Sequence, residues 1–463
     1  MTSETINIPL DEERTSVVPE DSKKPQLVDQ LIVEERQAQD NAQLDQVPDG
    51  GTEAWLQVLG GFVLAFSTFG YFVSWGTYQA YYETVLLPHN SSQQIAWIGS
   101  LQYSMIFLPG LLAGRLCDLG FFKPTLIAAA AVMTTGNFLT AECTKYWQFL
   151  LCQGFLLGVS SSCIYIPCIS TISHWFRYRK PQAFAIITFG VSLGGIAYPI
   201  IIRNLLPSVG FKWTTRTIAF INLAAFIVAI LSMRSRLPPS NVLPNLLDIR
   251  PFASPAYALY VISTFVAFLG LYTPLTFLSV SAELRGIDSR FAFYLVAISN
   301  GASAIGRLAS GPIAQAIGTV NVLAISIVLS AVFTYIWPFM ETRGEFIAIA
   351  ILYGCLMFPI CSSLFTAANM LELRIASGVF VCLFAIPVAL LGPLHDVGRR
   401  TGMQMTVMAF GALAGPPISG AIKVHHNTFR EVGIYSGSVV LASVPIMLAS
   451  KYCVVGCVFK GKF

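Results

Sequence analysis

An all-α membrane protein, folded as two six-helix halves with twelve transmembrane helices, is the architecture this sequence predicts, and three observations predict it. Of 463 residues, 55% are hydrophobic and only 11% are charged, with a mean hydropathy of +0.66. A soluble domain is about one quarter charged. Apolar runs of roughly 18–25 residues, long enough to cross about 30 Å of hydrocarbon, follow one another down the chain. Finally, a turn between two such runs, Gly114-Arg115-Leu116-Cys117-Asp118-Leu119-Gly120 and on to Lys123, has an echo about 200 residues later in Gly306-Arg307-Leu308-Ala309-Ser310-Gly311 and on to Gln315 and Gly318. Gly114 and Asp118 stand four apart, as do Gly311 and Gln315. Two such turns in corresponding places imply an internal repeat of membrane helices.

In chain order, residues 1–50 are polar and acidic: twelve of the 24 acids sit in the first 49 residues against four bases. That stretch carries about −8 and leaves the remainder near +12, so the overall +4 describes neither part and gives no pointer to nucleic acid. Its composition predicts a disordered cytoplasmic tail. The start Met1-Thr2-Ser3-Glu4 has neither an apolar stretch nor a basic flank, which predicts no cleavable leader. Spans are expected near 55–78, 93–113, 124–142, 147–170, 182–203 and 216–233, making an N-terminal bundle over 51–233. A cytoplasmic linker, 234–253, carries Arg234, Arg236, Pro238, Pro239 and Arg250. The second bundle, 254–455, offers spans near 254–280, 291–312, 319–339, 346–394, 402–423 and 433–455, before a short cytoplasmic tail at 456–463. The region 346–394 is too long for one crossing. Residues 355–374 read as an insertion, either a re-entrant piece or translated intron sequence, because without them Leu352-Tyr353-Gly354 meets Ile375-Ala376-Ser377 in one ordinary span.

With both termini cytoplasmic, inside loops hold slightly more Lys and Arg than outside loops, in the sense that the rule for basic residues requires. The sequon Asn90-Ser91-Ser92 then faces outward between the first two spans, where Asn90 is a glycosylation candidate. Of ten cysteines, Cys152, Cys163, Cys168, Cys355 and Cys382 fall inside apolar runs, where free thiols act as small hydrophobes. Metal-ligand spacing and catalytic His/Asp/Glu groupings are both missing from the sequence, so neither a cofactor nor an enzyme is expected. The expected partners are a small-molecule substrate and the bilayer, with the chain acting as a monomer in the plasma membrane.

The turn at Gly114, Leu116, Asp118, Gly120 and Lys123 resembles the loop motif of the major facilitator superfamily, Gly-x-Leu-x-Asp-x-x-Gly-x-(Arg/Lys), with altered spacing. The resemblance implies that Gly114, Asp118, Gly120 and Lys123 form a conformational switch, the acid facing a helix N-terminus across the boundary between halves. Asp49-Gly50-Gly51 with Trp55 is similar to the entry motif of monocarboxylate-porter-like transporters. His174-Trp175-Phe176-Arg177-Tyr178-Arg179-Lys180 resembles that family's segment before its fifth span. Gly398-Arg399-Arg400-Thr401-Gly402 and Gly415-Pro416-Pro417-Ile418-Ser419-Gly420 resemble closing motifs of its fungal members. The animal lactate carriers have a lysine near the position of Ser74-Trp75 and an aspartate where Ser303 stands, so proton-coupled lactate transport is not what this chain predicts.

Substrate should bind near the midplane, between the halves. Arg307 lies deep in the eighth span, where a guanidinium must face protein or water, and its planar fork suits carboxylates. Asn300 in the same span, Tyr71 in the first, and Gln153 and Tyr165 in the fourth complete the predicted binding set. This lining of amides and aromatics suits a larger, less charged organic molecule. The expected function is secondary transport of a small organic acid or metabolite, with efflux of a specialised metabolite favoured. Uptake of a monocarboxylate or vitamin, or a non-transporting nutrient sensor, are the alternatives.

Overall fold

Backbone N–H and C=O groups cannot stay open in hydrocarbon, so each crossing segment must close its own hydrogen bonds. The computed structural model is accordingly built from helices over the residues it describes: 48–236, 249–355, 383–392, 396–426 and 428–456. Apart from residues 48–50 and 456 the predicted tails, most of the linker and, apart from Cys355, the proposed insertion at 355–374 lie outside those residues.

Helices α1 (Thr52–Leu86), α2 (Gln94–Asp118), α3 (Phe122–Glu142) and α4 (Tyr146–Ser173) come first, all long and apolar enough to cross a bilayer. Both α1 and α4 widen into π-type turns, at Phe66–Gly70 and Leu150–Leu156. Lys180–Ser232 is one continuous 53-residue stretch holding two crossings. Its only break is Gly210, at φ 74°, a left-handed conformation that glycine adopts without a Cβ clash. The loop expected between 203 and 216 therefore shrinks to a single residue separating α5 from α6. The reason is that the helical bonds of both spans continue past the hydrocarbon until glycine interrupts them.

In the second half, α7 comes in two pieces, Pro255–Gly270 and Thr273–Leu284, broken at Leu271 and Tyr272. There follow α8 (Ser289–Ile317), α9 (Thr319–Phe339), α10 (Arg343–Cys355), α11 (Val397–His426) and α12 (Phe429–Val455). Helix α2 starts on a reciprocal cap in which Gln94 N–H donates to Ser91 Oγ and Ser91 N–H donates to Gln94 Oε1.

Within the halves, α1 packs along α5 and α7 along α12; the halves meet along two seams, α2 with α11 and α5 with α8. Those seams position everything that follows.

Candidate site: two seams and an aromatic boundary between the halves

Glycines decide how closely α2 and α11 approach. A Cβ on Gly114 would lie 2.0 Å from the Gly398 carbonyl oxygen, and one on Gly402 would lie 2.2 Å from that of Gly110. Two small-xxx-small pairs thus mesh backbone to backbone, the packing that small residues permit between membrane helices. Where Pro109 interrupts α2, Thr406 of α11 fills the gap, donating to Leu108 O at 3.0 Å and accepting from Leu111 N–H at 3.1 Å.

At the end of this seam the Asp118 carboxylate accepts from Gly398 N–H at 3.0 Å and Arg399 N–H at 2.7 Å. These are the unfilled donors of the first turn of α11, so one half supplies the N-cap, and the favourable charge, for a helix of the other. Asp396 stands beside it, taking a 2.6 Å bond from Arg399 Nη2. The neighbouring Arg400 donates to Val388 O at 2.8 Å.

The other seam repeats the plan with a change. Gly311 of α8 lets Gln182 of α5 come close, and Gln182 Nε2 donates to Gln315 Oε1 at 2.7 Å. Gln315 is the repeat partner of Asp118, but it caps nothing. The backbone leading into α5 is held instead by Asp49, whose carboxylate accepts from Arg177, Tyr178 and Arg179 N–H at 2.9, 3.0 and 3.0 Å. Next to this clamp His174 is buried, and that burial, with Lys180 and Arg236 close by, pushes its imidazole down to about 3.

Further along α5 and α8, Arg307 Nη1 donates to Thr188 O at 2.7 Å, and Asn300 rests against Gly195. Arg203 lies over the Tyr294 ring at 5.3 Å, so this seam is in contact along its length. Also at the boundary between the halves lie Tyr103 on α2 and Tyr272 at the break in α7. Those two rings meet edge to face across the halves, 5.3 Å apart, and Phe107 meets Phe268 at 5.8 Å just beneath. Phe69 joins Phe107 at 5.7 Å and Tyr165 at 4.4 Å, carrying the aromatic contact into α1 and α4.

The structure thus brings Arg307, Asn300 and, through Phe69, Tyr165 to the region between the halves. Tyr71 and Gln153 lie elsewhere, inside the N-terminal half. There Gln153 accepts a bond from the Tyr82 hydroxyl, and Tyr71 packs among Tyr78 and Tyr198. Gly114 and Asp118 lie in the α2–α11 seam. Gly120 makes the turn after α2 at φ 84°, and Lys123 is exposed on the first turn of α3. Asn90 sits between α1 and α2 and donates to Gln94 Oε1 at 3.2 Å. Sequence reasoning missed Tyr103, Phe107, Phe268 and Tyr272. The available signal was an aromatic pair four residues apart on α2, matched by another pair four apart around the break in α7.

Two helical halves that meet in two meshed seams, with a buried arginine and paired aromatic rings at the boundary between them, are the architecture of a multi-pass membrane transporter. Residues 59–374 match the family model of the Major Facilitator Superfamily, and the chain belongs to that family. It is 34% identical to the aspyridones efflux protein apdF of Emericella nidulans, over 85% of this chain and 77% of that one. It is 32% identical to the fujikurins efflux protein of Gibberella fujikuroi, over 94% and 89%. The fold is also that of the human organic anion transporter MFSD10, with a TM-score of 0.66 at 14% identity, covering 86% of this chain and 100% of that one.

Proposed function

We propose that this protein exports an anionic specialised metabolite across the plasma membrane, as a monomer, by alternating access of a chamber centred on Arg307. The observation that carries the reading is Arg307 itself, a buried cation held at the α5–α8 seam between the halves by its bond to Thr188 O. Relatives named as efflux proteins for fungal metabolites support the direction. A buried, always-charged planar group favours an anion, and it reports occupancy to both halves because it bonds α5 from α8. Arg307, Asn300 and Tyr165 remain the binding residues of choice. Tyr71 and Gln153 support the N-terminal half instead.

Flux through liposomes holding the purified chain tests this. Saturable movement of organic anions, reduced at least about ten-fold by Arg307→Ala, is expected, since a hydrogen bond to a charged group contributes about 1.5–3 kcal/mol. Full flux in that variant would remove Arg307 from the site. Glycosylation at Asn90 predicts a glycosidase-sensitive mass that Asn90→Gln abolishes.

A further inference from the structure

We infer, resting on the export reading, that the cargo is a planar conjugated organic anion that slots between two ring pairs. Tyr103 and Phe107 come from α2, Tyr272 and Phe268 from α7, and each pair faces the other across the boundary between halves, at 5.3 and 5.8 Å. The rings therefore part when the halves rock, and the opening between them is a slot with aromatic walls. Phe107 and Phe268 are buried, whereas Tyr103 and Tyr272 are half-buried and form the reachable lip. Arg307 is buried at the boundary between the same halves, bonded from α8 to α5, and the lip hydroxyls are donors, so the lip is where an acidic group settles.

This geometry discriminates by shape and by charge. A flat ring system covers four aromatic surfaces at once and favours offset or edge contacts with each of them. A two- or three-carbon acid reaches the hydroxyls and leaves the walls untouched. An organic cation is repelled by Arg307, and a neutral aromatic gains nothing from it. A carboxylate, enolate or phenolate on a conjugated body is the one class that uses both features, and each such group accepts from a tyrosine hydroxyl as well as from a guanidinium.

Equilibrium binding to the purified full-length chain, followed by probe fluorescence or competition, tests the class directly. The probes are 1-naphthoate, 2-anthracenecarboxylate and 4-hydroxycoumarin, with acetate and 1-naphthamide as the small and the uncharged comparison. The planar anions are expected to bind at least about ten-fold tighter than either comparison, because each lacks one of the two features. Tyr103→Phe with Tyr272→Phe keeps the walls and removes the lip donors, so it should shrink the preference for naphthoate over naphthamide about ten-fold. Phe268→Leu should weaken the planar anions while leaving that preference in place. Unchanged melting temperatures of these variants show that they are folded. Acetate or naphthamide binding as tightly as naphthoate would overturn the assignment, as would failure of all three planar anions to bind. If they bind but do not cross liposomes, the class stands and export falls. If some other cargo is exported and none of them binds, export stands and the class falls.

Discussion

Asp118 holds two backbone donors of α11, one on each oxygen, while being only 7% exposed, so its two acceptors matter more than its shape. Asp118→Asn keeps the volume but leaves one of the two N–H groups facing an amide nitrogen. The α2–α11 seam should lose about 1.5–3 kcal/mol. A thiol placed by Ala113→Cys, at a site fully buried in this state, should then be labelled several-fold faster, and an unchanged rate would count against the seam. His174 gives a different signature. With its folded-state value near 3 against an ordinary 6.5, it is neutral in the fold, and the unfolded chain binds the extra proton below 6.5. Its contribution is thus complete above pH 6.5 and is lost as the pH falls from there toward 3, by up to about 1.4 kcal/mol per unit. Melting curves of His174→Gln should be flatter over that window; an identical acid slope would show that His174 does not set it. At this scale the sequence pointed to Arg307, because a cation inside an apolar run stands out. It did not separate Tyr71 and Gln153 from the chamber, since a polar residue in mid-span can face its own bundle as readily as the other one.

Among the helices, the meshing of α2 with α11 is the contact most sensitive to a single methyl group. A Cβ at Gly398 would meet Gly114 O and the Asp118 carboxylate, each at 2.4 Å. Gly398→Ala should force the inner ends apart and cost the closed state about 1–3 kcal/mol, the usual range for overpacking. Gly420, on the same helix, has open space where its Cβ would stand, and Gly420→Ala should be neutral or stabilising by up to about 1 kcal/mol. Equal effects of the two changes on melting temperature and on Ala113→Cys labelling would contradict the meshed seam. The internal repeat was legible from the four-residue spacing of Gly114 with Asp118 and Gly311 with Gln315. Its asymmetry was not, because the residue that holds the approach to α5 in place of Gln315 is Asp49, 128 to 130 positions from its partners. Gln315→Ala removes only a neutral bond and should perturb its own seam by less than about 1 kcal/mol, well below Asp118→Asn. The two-piece α7 was signalled only by Tyr272-Thr273-Pro274, a short dip in the apolar 254–280 run with a proline that opens the second piece.

At the scale of the molecule, apolar run length predicted the crossings well, since hydrocarbon thickness fixes helix length whatever the side chains. What run length could not give is the rotation of each helix about its axis, and that rotation is what turns Tyr103 and Tyr272 toward each other. The account as a whole requires the two halves to move against one another around the chamber. Pulsed electron-resonance distances test this most directly, with spin labels at exposed Lys123 and Tyr452 on one face and at exposed Val209 and Val424 on the other. When 1-naphthoate is added to the protein in lipid, the account predicts that one distance lengthens as the other shortens. Two distances that stay fixed, or that change together, would contradict it.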